Sequence, residues 1–410
     1  MDRAESGKDR QSLTMANIPY GRQDVTEEDI RAVNEVLRSD FLTQGPAVPA
    51  FEQAVGLSCG AGHAIAVNSA TSALHIACLA LGVGPGDAVW TSAITFAASA
   101  NCALYCGASV DFVDIDPQTN NMSIDRLTEK LAAAKAAGRL PKVVIPVHLC
   151  GQPCDMRAIR ALSDRYGFKI IEDASHAVGG RYRDEPIGTC RYSDVTVFSF
   201  HPVKLITSGE GGMAVTQDKD LAVRMRRLRT HGITRDPAEM VHASDGPWYC
   251  EQLELGFNYR MTDIHAALGR SQLARLPAYL VKRHEIAARY DRLLADLPVS
   301  TPRQAPDSYS GLHLYVVRLR LDAIESTHRQ VFERLRAAGI GVNLHYIPVY
   351  RHPHYAKLGF APGYCPEAEQ YYREAISLPM YPTLGDSEQA YVVESLRSAL
   401  CPTPIEVRSP

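Results

Sequence analysis

The stretch Val195-Thr196-Val197-Phe198-Ser199-Phe200-His201-Pro202-Val203-Lys204-Leu205-Ile206-Thr207-Ser208-Gly209-Glu210-Gly211-Gly212 decides how this chain is read. It opens as a short apolar, β-branched and aromatic run, the pattern of a strand buried on both faces of a parallel sheet. One lysine, Lys204, comes just after the strand, and a glycine-rich turn comes just after the lysine. An ammonium is costly to bury, so a lysine in such a place loses pKa and its free amine becomes available for imine chemistry with a carbonyl. A surface lysine in an ordinary loop fits the same residues, and both readings stay open on this stretch alone.

Working outward, further candidate strands fall at 63–67, 88–92, 110–114, 143–147, 169–172 and 213–216, beside the one at 195–200. Helix-period segments lie between them, as at 72–81, 123–137 and 156–166. Strands alternating with helices predict an α/β fold with a mostly parallel, seven-stranded sheet covered on both faces. Ligands of such sheets bind beyond the carboxyl ends of the strands. Upstream, Thr26-Glu27-Glu28-Asp29 resembles a capping box, with Ile30, Val33 and Leu37 marking the helix it opens. From about residue 270 the pattern changes to a long helical stretch (271–297), a strand (313–319), a helix (326–338), a strand (342–346) and helices near 366–375 and 387–400. This predicts a smaller C-terminal α+β domain. The expected organisation is a disordered tail or tag at 1–16 with Met15 as a candidate start, a large domain at 17–270, a small domain at 271–401 and a tail at 402–410.

The 410 residues carry 43 Lys+Arg against 46 Asp+Glu, a formal net charge of −3. That balance disfavours binding to nucleic acid by phosphate neutralisation. With 46% hydrophobic and 22% charged residues, the chain is not disordered as a whole. Ten cysteines are too few for a disulfide scaffold, and the pairs Cys102/Cys106 and Cys150/Cys154 are spaced C-x₃-C with no histidine pair beside them. Reduced thiols and no metal site are expected. The charged opening of the chain and the lack of an apolar run of about 18 residues predict a cytoplasmic protein with no membrane partner. The basic run 224–229 reads as a solvated or interface face of a helix.

Two more stretches bear chemistry. In Ala66-Val67-Asn68-Ser69-Ala70-Thr71-Ser72-Ala73-Leu74 a strand ends and a helix opens among small and hydroxyl residues. Free amides at the helix start and the Thr71 hydroxyl would suit an anion, and a plain N-cap by Ser69 or Thr71 is the simpler alternative. In Glu172-Asp173-Ala174-Ser175-His176-Ala177 an acid stands at the end of a strand, where it could cap, bind a metal, orient a sugar or favour a protonated ring nitrogen. No P-loop, zinc-protease, serine-elbow or dinucleotide fingerprint is present. A phosphate cradle, an acid, a hydroxyl (Ser199), a lysine and a stacking ring (Phe96) together are what pyridoxal phosphate requires of a protein.

With these pieces in hand, the sequence resembles the DegT/DnrJ/EryC1/StrS sugar aminotransferases over residues 18–401. The resemblance rests on LTQGP (42–46), NSATSAL (68–74), EDASHA (172–177), SFHPVK-x-IT-x-GEGG (199–212), RTHG (229–232), ELGFNYRMTDIHAALG (254–269) and AISLPMYP (375–382). It implies a fold type I pyridoxal-phosphate aminotransferase and a homodimer with shared active sites. Carried over, Lys204 would hold the cofactor as an internal aldimine and shuttle the proton, with pyridoxamine phosphate as intermediate. Asp173 would pair with the pyridine nitrogen, and Ala70, Thr71 and Ser199 would bind the phosphate. Phe96 would stack on the ring, and Asn258 would reach in from the neighbouring subunit. His176 departs from the glutamine commonest at its position and is expected near the ring hydroxyl. The form SFHPVK-x-IT, with EDASHA and VNLHYIPVY (342–350), resembles the branch that transfers an amino group from L-glutamate to C4 of a UDP-linked 4-keto-6-deoxy-2-acetamido sugar for pseudaminic acid. The sugar site would then draw on Tyr20, Asp40, Phe41, Leu42 and Thr43. Ala70, Ser199 and Asn258 would add to it, as would His345, Tyr346, Ile347 and Pro348. A perosamine- or bacillosamine-type acceptor, or a cofactor-binding regulator without turnover, are the alternatives.

Overall fold

The computed structural model describes residues 17–401, so the expected tails lie outside the described residues. One sheet of seven strands organises the molecule. Its members are β1 (His63–Val67), β2 (Ala88–Ser92), β3 (Ser109–Val113), β4 (Val143–Ile145), β5 (Lys169–Asp173), β6 (Val195–Ser199) and β7 (Gly212–Thr216). The spatial order is β1-β7-β6-β5-β4-β2-β3. Strands β2 to β6 run parallel, and β7 alone runs against both of its neighbours. Successive side chains enter opposite faces: Ile65, Val67, Val195, Val197 and Ala214 join one apolar cluster, while Ala64, Ala66, Phe198, Met213 and Val215 join another. Both faces are therefore dry, which is why the strands read as unbroken apolar runs.

Helices α1 (Glu27–Leu37), α2 (Ala47–Cys59), α3 (Ala70–Ala80), α4 (Ala98–Tyr105), α5 (Ile124–Ala136), α6 (Met156–Tyr166) and α7 (Lys219–Arg229) accompany this sheet. The capping box at Thr26 and Asp29 forms as expected. The apolar stripe behind it does not enter the core, since Ile30 is 52% and Leu37 55% exposed. The residue buried instead is Asp29, whose Oδ2 accepts hydrogen bonds from Arg275 (2.5 Å), Gln272 (2.7 Å) and the Thr26 amide (3.0 Å). The basic run on α7 is largely neutralised in place: Arg224 and Arg227 face Glu254, and Arg229 lies 2.6 Å from Glu52.

The predicted 271–297 helix is two helices, α8 (Asp263–Leu273) and α9 (Leu276–Leu293). Pro277, which has no amide hydrogen, sits in the first turn of α9 and fixes the restart. The early turns of α9 (Leu276, Tyr279, Leu280) pack with the second sheet cluster, while Ile286, Ala287 and Tyr290 enter a third. That third cluster joins Ile18 to residues of α10 (His328–Ala337), α12 (Asp386–Leu400) and a small antiparallel sheet of β8 (Val299–Ser300), β9 (Tyr315–Leu319) and β10 (Ala375–Leu378). Helix α11 (Pro366–Glu374) precedes β10. The strand expected at 342–346 is replaced by a two-residue pairing of Ile340–Gly341 with Ile18–Pro19. Residues 343–347 instead border the main cavity, their ring-bearing side chains serving a wall rather than a ladder.

Candidate active site

The carboxyl ends of β5 and β6 open onto a cavity of about 720 Å³. Strand β6 ends at Ser199, and the loop 200–211 carries Lys204. Phe200, Leu205 and Ile206 are buried in the second cluster and pin this loop. The Phe200 amide bonds the Gly211 carbonyl (2.9 Å), and the Ser208 amide (3.0 Å) and Thr207 hydroxyl (3.1 Å) bond the Phe200 carbonyl. Lys204 is thereby left lining the cavity. Burial lowers its pKa to about 8, against the opposing pull of Asp173 and Cys150. The sequence-based expectation of a depressed lysine rests on the same cause, desolvation.

Asp173 closes β5 and is 5% exposed. Its Oδ2 accepts a hydrogen bond from Ser99 Oγ (2.6 Å) and its Oδ1 one from the Ser175 amide (3.1 Å). Ser99 is in turn 2.7 Å from Thr95 Oγ1. These partners fix the carboxylate's position at the edge of the cavity. Across the cavity stands the start of α3. Ser69 Oγ caps the Ser72 amide (3.1 Å), so Ser69 is the N-cap, and the amides of Ala70 and Thr71 have no acceptor within the helix. Gly212 lets β7 press against this turn, because a Cβ there would collide with the backbone of Ser69 and Ala70. Ala70, Thr71 and Ser199 all line the cavity.

Three buried histidines, His176, His313 and His345, line the wall. His176 accepts the Cys150 amide at Nδ1 (3.3 Å), so Nε2 bears its hydrogen, 3.2 Å from the Tyr346 hydroxyl. Burial, then Lys204 and His345, keep His176 far below the usual imidazole pKa. Burial and Lys204 lower His345 to about 4. His313 is held low as well. Burial thus favours the neutral form of all three rings.

Of the residues expected at the site, Tyr20, Phe96, Asp173, His176, Ser199, Lys204, His345, Tyr346 and Ile347 meet here with Ala70 and Thr71. Asp40, Phe41, Leu42 and Thr43 do not: they are exposed, held away by a Thr43–Thr262 bridge and by Asp263, which accepts the amides of Gly45, Ala47 and Val48. Asn258 pairs with Thr230 and Pro348 precedes a turn at 349–351, so neither borders this cavity. Sequence reasoning missed Ser99, His201, His313 and His352. Among the described residues no cluster of metal-ligating side chains is present.

The wall suits pyridoxal phosphate group by group. An acid would meet a ring nitrogen, a lysine the aldehyde, free helix amides with two hydroxyls the phosphate, and Phe96 would offer an aromatic face. Comparison with known proteins bears on the same point. The model of the DegT/DnrJ/EryC1/StrS aminotransferase family matches residues 23–397. The spore coat polysaccharide biosynthesis protein SpsC of Bacillus subtilis (strain 168) is 39% identical over 383 residues, 93% of this chain and 96% of its own. Helicobacter pylori PseC, an aminotransferase involved in the biosynthesis of pseudoaminic acid, superimposes with a TM-score of 0.85 at 30% identity, covering 94% of this chain and 99% of its own. Spr1654 of Streptococcus pneumoniae in its PMP form gives 0.85 at 31% identity, covering 93% and 99%, and its PLP form 0.83 at 30% identity, covering 93% and 98%. The chain belongs to the DegT/DnrJ/EryC1/StrS aminotransferase family and is a fold type I, pyridoxal-phosphate-dependent sugar aminotransferase.

Proposed function

We propose that this enzyme transfers the amino group of L-glutamate to C4 of UDP-2-acetamido-2,6-dideoxy-β-L-arabino-hex-4-ulose, the activity of UDP-4-amino-4,6-dideoxy-N-acetyl-β-L-altrosamine transaminase in pseudaminic acid biosynthesis. The observation that carries it is Lys204, lowered to about 8 beside a fixed Asp173, in a chain resembling PseC along nearly its whole length. When bound, the cofactor supplies an electron sink and carries the amino group between the two half-reactions. The residues do the rest. Lys204 Nζ takes the proton from the donor carbon and returns one to the acceptor carbon as base and then acid. Asp173 would hold the ring nitrogen protonated, and the α3 amides with Thr71 and Ser199 would hold the phosphate. Phe96 would offer its ring face to the cofactor ring, and His176 would stand beside the ring hydroxyl.

The division at 270/271 into two domains belongs to this proposal; a third core cluster built mostly from residues 286–400 supports it, while Ile18 joins that cluster and Leu314, Val316 and Tyr350 pack with the main sheet. So does a homodimer, supported by the exposed Ile30, Leu37, Phe41 and Leu42 and by Asn258 lying away from its own cavity. In the dimer, residues 40–43 and Asn258 complete the partner's site. A cytoplasmic location is supported by ten free cysteines. The test is a panel of nucleotide keto-sugars with glutamate and purified enzyme. Turnover highest with the UDP-L-arabino-hexulose is expected, and preference for a GDP-linked or a bacillosamine-type acceptor overturns the assignment. A different nucleotide-sugar acceptor is the second reading, supported by the 39% identity to SpsC, a spore coat polysaccharide biosynthesis protein. Mixing a Lys204→Ala chain with an Asn258→Ala chain tests the shared site, since hybrid dimers would regain one intact site.

A further inference from the structure

His313 lies in no motif that points to the site. It is 3% exposed, borders the cavity, and its ring centroid is 4.5 Å from that of His176. Its Nδ1 is sealed from solvent with no hydrogen-bond partner among the described residues. An orphaned N–H is a rarer and costlier defect than an orphaned lone pair, so the hydrogen belongs on Nε2, the nitrogen left to meet a ligand. The groups facing the ring are His176, Lys204, Arg283 and His345, and with burial they keep it uncharged. A neutral ring with its hydrogen on Nε2 is a donor.

The backbone holds this ring with unusual firmness. Leu312 adopts φ +47°, a conformation that a branched side chain rarely takes. Ser310 Oγ accepts its amide (3.0 Å), and the buried Arg283 donates to the carbonyls of Leu312 and His313 (3.1 Å each). Gly311 and Leu314 bond the carbonyls of Gly151 and Cys150. That is the loop whose Cys150 amide orients His176. Two imidazoles are thus carried on two loops stitched together. Strained backbone held by several partners is typical of functional walls.

We propose that His313 donates a hydrogen bond from Nε2 to an oxygen bound beside Lys204, and so serves as an unassigned ligand-binding residue of the site. The inference rests on catalysis taking place in this cavity. Two oxygens have the right chemistry: the ring oxygen of the cofactor, and a carbonyl or carboxylate oxygen of a substrate. His313→Phe keeps a flat ring and removes the donor, while His313→Gln keeps a donor. In the Phe holoenzyme we expect one of two results. Either the midpoint of the cofactor's absorbance change with pH moves by about half a unit or more, placing the oxygen on the cofactor, or KM for glutamate or keto-sugar rises about tenfold with the spectrum unchanged, placing it on the substrate. His313→Gln restores whichever readout moved. Unchanged spectrum and KM in the Phe variant, or a defect that Gln does not rescue, overturns the proposal. Should the Phe chain fail to fold, ¹⁵N spectra of wild-type imidazoles decide, and a His313 protonated at Nδ1 refutes it. Wild-type protein lacking lysine-linked absorbance would instead sink the reading of the cavity.

Discussion

Lys204 sets a quantitative expectation for how the apoprotein captures its cofactor. Only the neutral amine attacks an aldehyde, so the rate at each pH follows the neutral fraction. With a pKa of about 8 in place of 10.5, that fraction at pH 7 is about 9% rather than about 0.03%, a gain of about 300-fold. The capture of pyridoxal phosphate, followed by stopped-flow absorbance, should rise about tenfold per pH unit up to about 8 and then level. Parallel reactions with a simple alkylamine of known pKa divide out the cofactor's own titration. Asp173→Asn should move the break to lower pH, because Asp173 is the charge that raises Lys204 against burial. A rate that keeps climbing past pH 9.5, or a break that Asp173→Asn moves upward, would refute the argument that desolvation sets the lysine.

Three further expectations concern the scaffold. Gly212→Ala should weaken pyridoxal phosphate binding at least about tenfold, since the new methyl displaces Ser69 and Ala70 at the phosphate turn, and an absorbance titration with unchanged affinity would show that turn to be uninvolved. Asp263→Ala strands the amides of Gly45, Ala47 and Val48 and should cost about 2–4 kcal/mol in urea unfolding, with a loss below about 0.5 kcal/mol counting against it. Glu172→Gln breaks the buried contact with His148 (2.8 Å) and should cost about 3–5 kcal/mol near neutral pH. Burial opposes ionisation of Glu172, yet hydrogen bonds from His148, Ser193 and Thr196 hold its pKa below the usual value. A depressed carboxyl contributes stability that is present above its unfolded pKa and lost as pH falls through the folded one. The wild-type advantage over Glu172→Gln should therefore shrink below about pH 4.5, and an advantage independent of acid would exclude an ionised Glu172.

What could be read in advance follows from where each signal resides. The parallel sheet and Lys204, Asp173 and Ser199 were legible because a doubly buried strand writes itself as an apolar run, and the residue after it lies at the carboxyl edge by construction. Helix α6 matches its expected span because Asp155 caps it and Gly167 ends it in the left-handed region. Ser99 was hidden, since it reaches Asp173 from the first turn of α4, and only the packing of α4 on the sheet brings them together. His313 was hidden for the same reason. Residues 342–346 misled because their alternation suits a strand, and tertiary placement at a cavity overrode it. The apolar stripe of α1 was correctly periodic but turned outward, a choice that periodicity alone does not record.

The one reversed strand has a consequence for how the site comes into being. Because β7 runs against β6, Gly212 pairs directly with Ser199, and the segment holding Lys204 is the tip of a hairpin. Such a closure is local in sequence and entropically easy, whereas the neighbouring parallel pairings must bring distant parts of the chain together. The lysine loop can thus take shape early, while the turn at 69–71 arrives only when β1 docks on the far side of β7. A phosphate bridging Thr71 and Ser199 would fasten the late contact to the early one. Cofactor capture then acts as a clasp on the last step of assembly, and apoprotein opening should begin at the β1–β7 seam, visible as the first amides there to exchange with solvent.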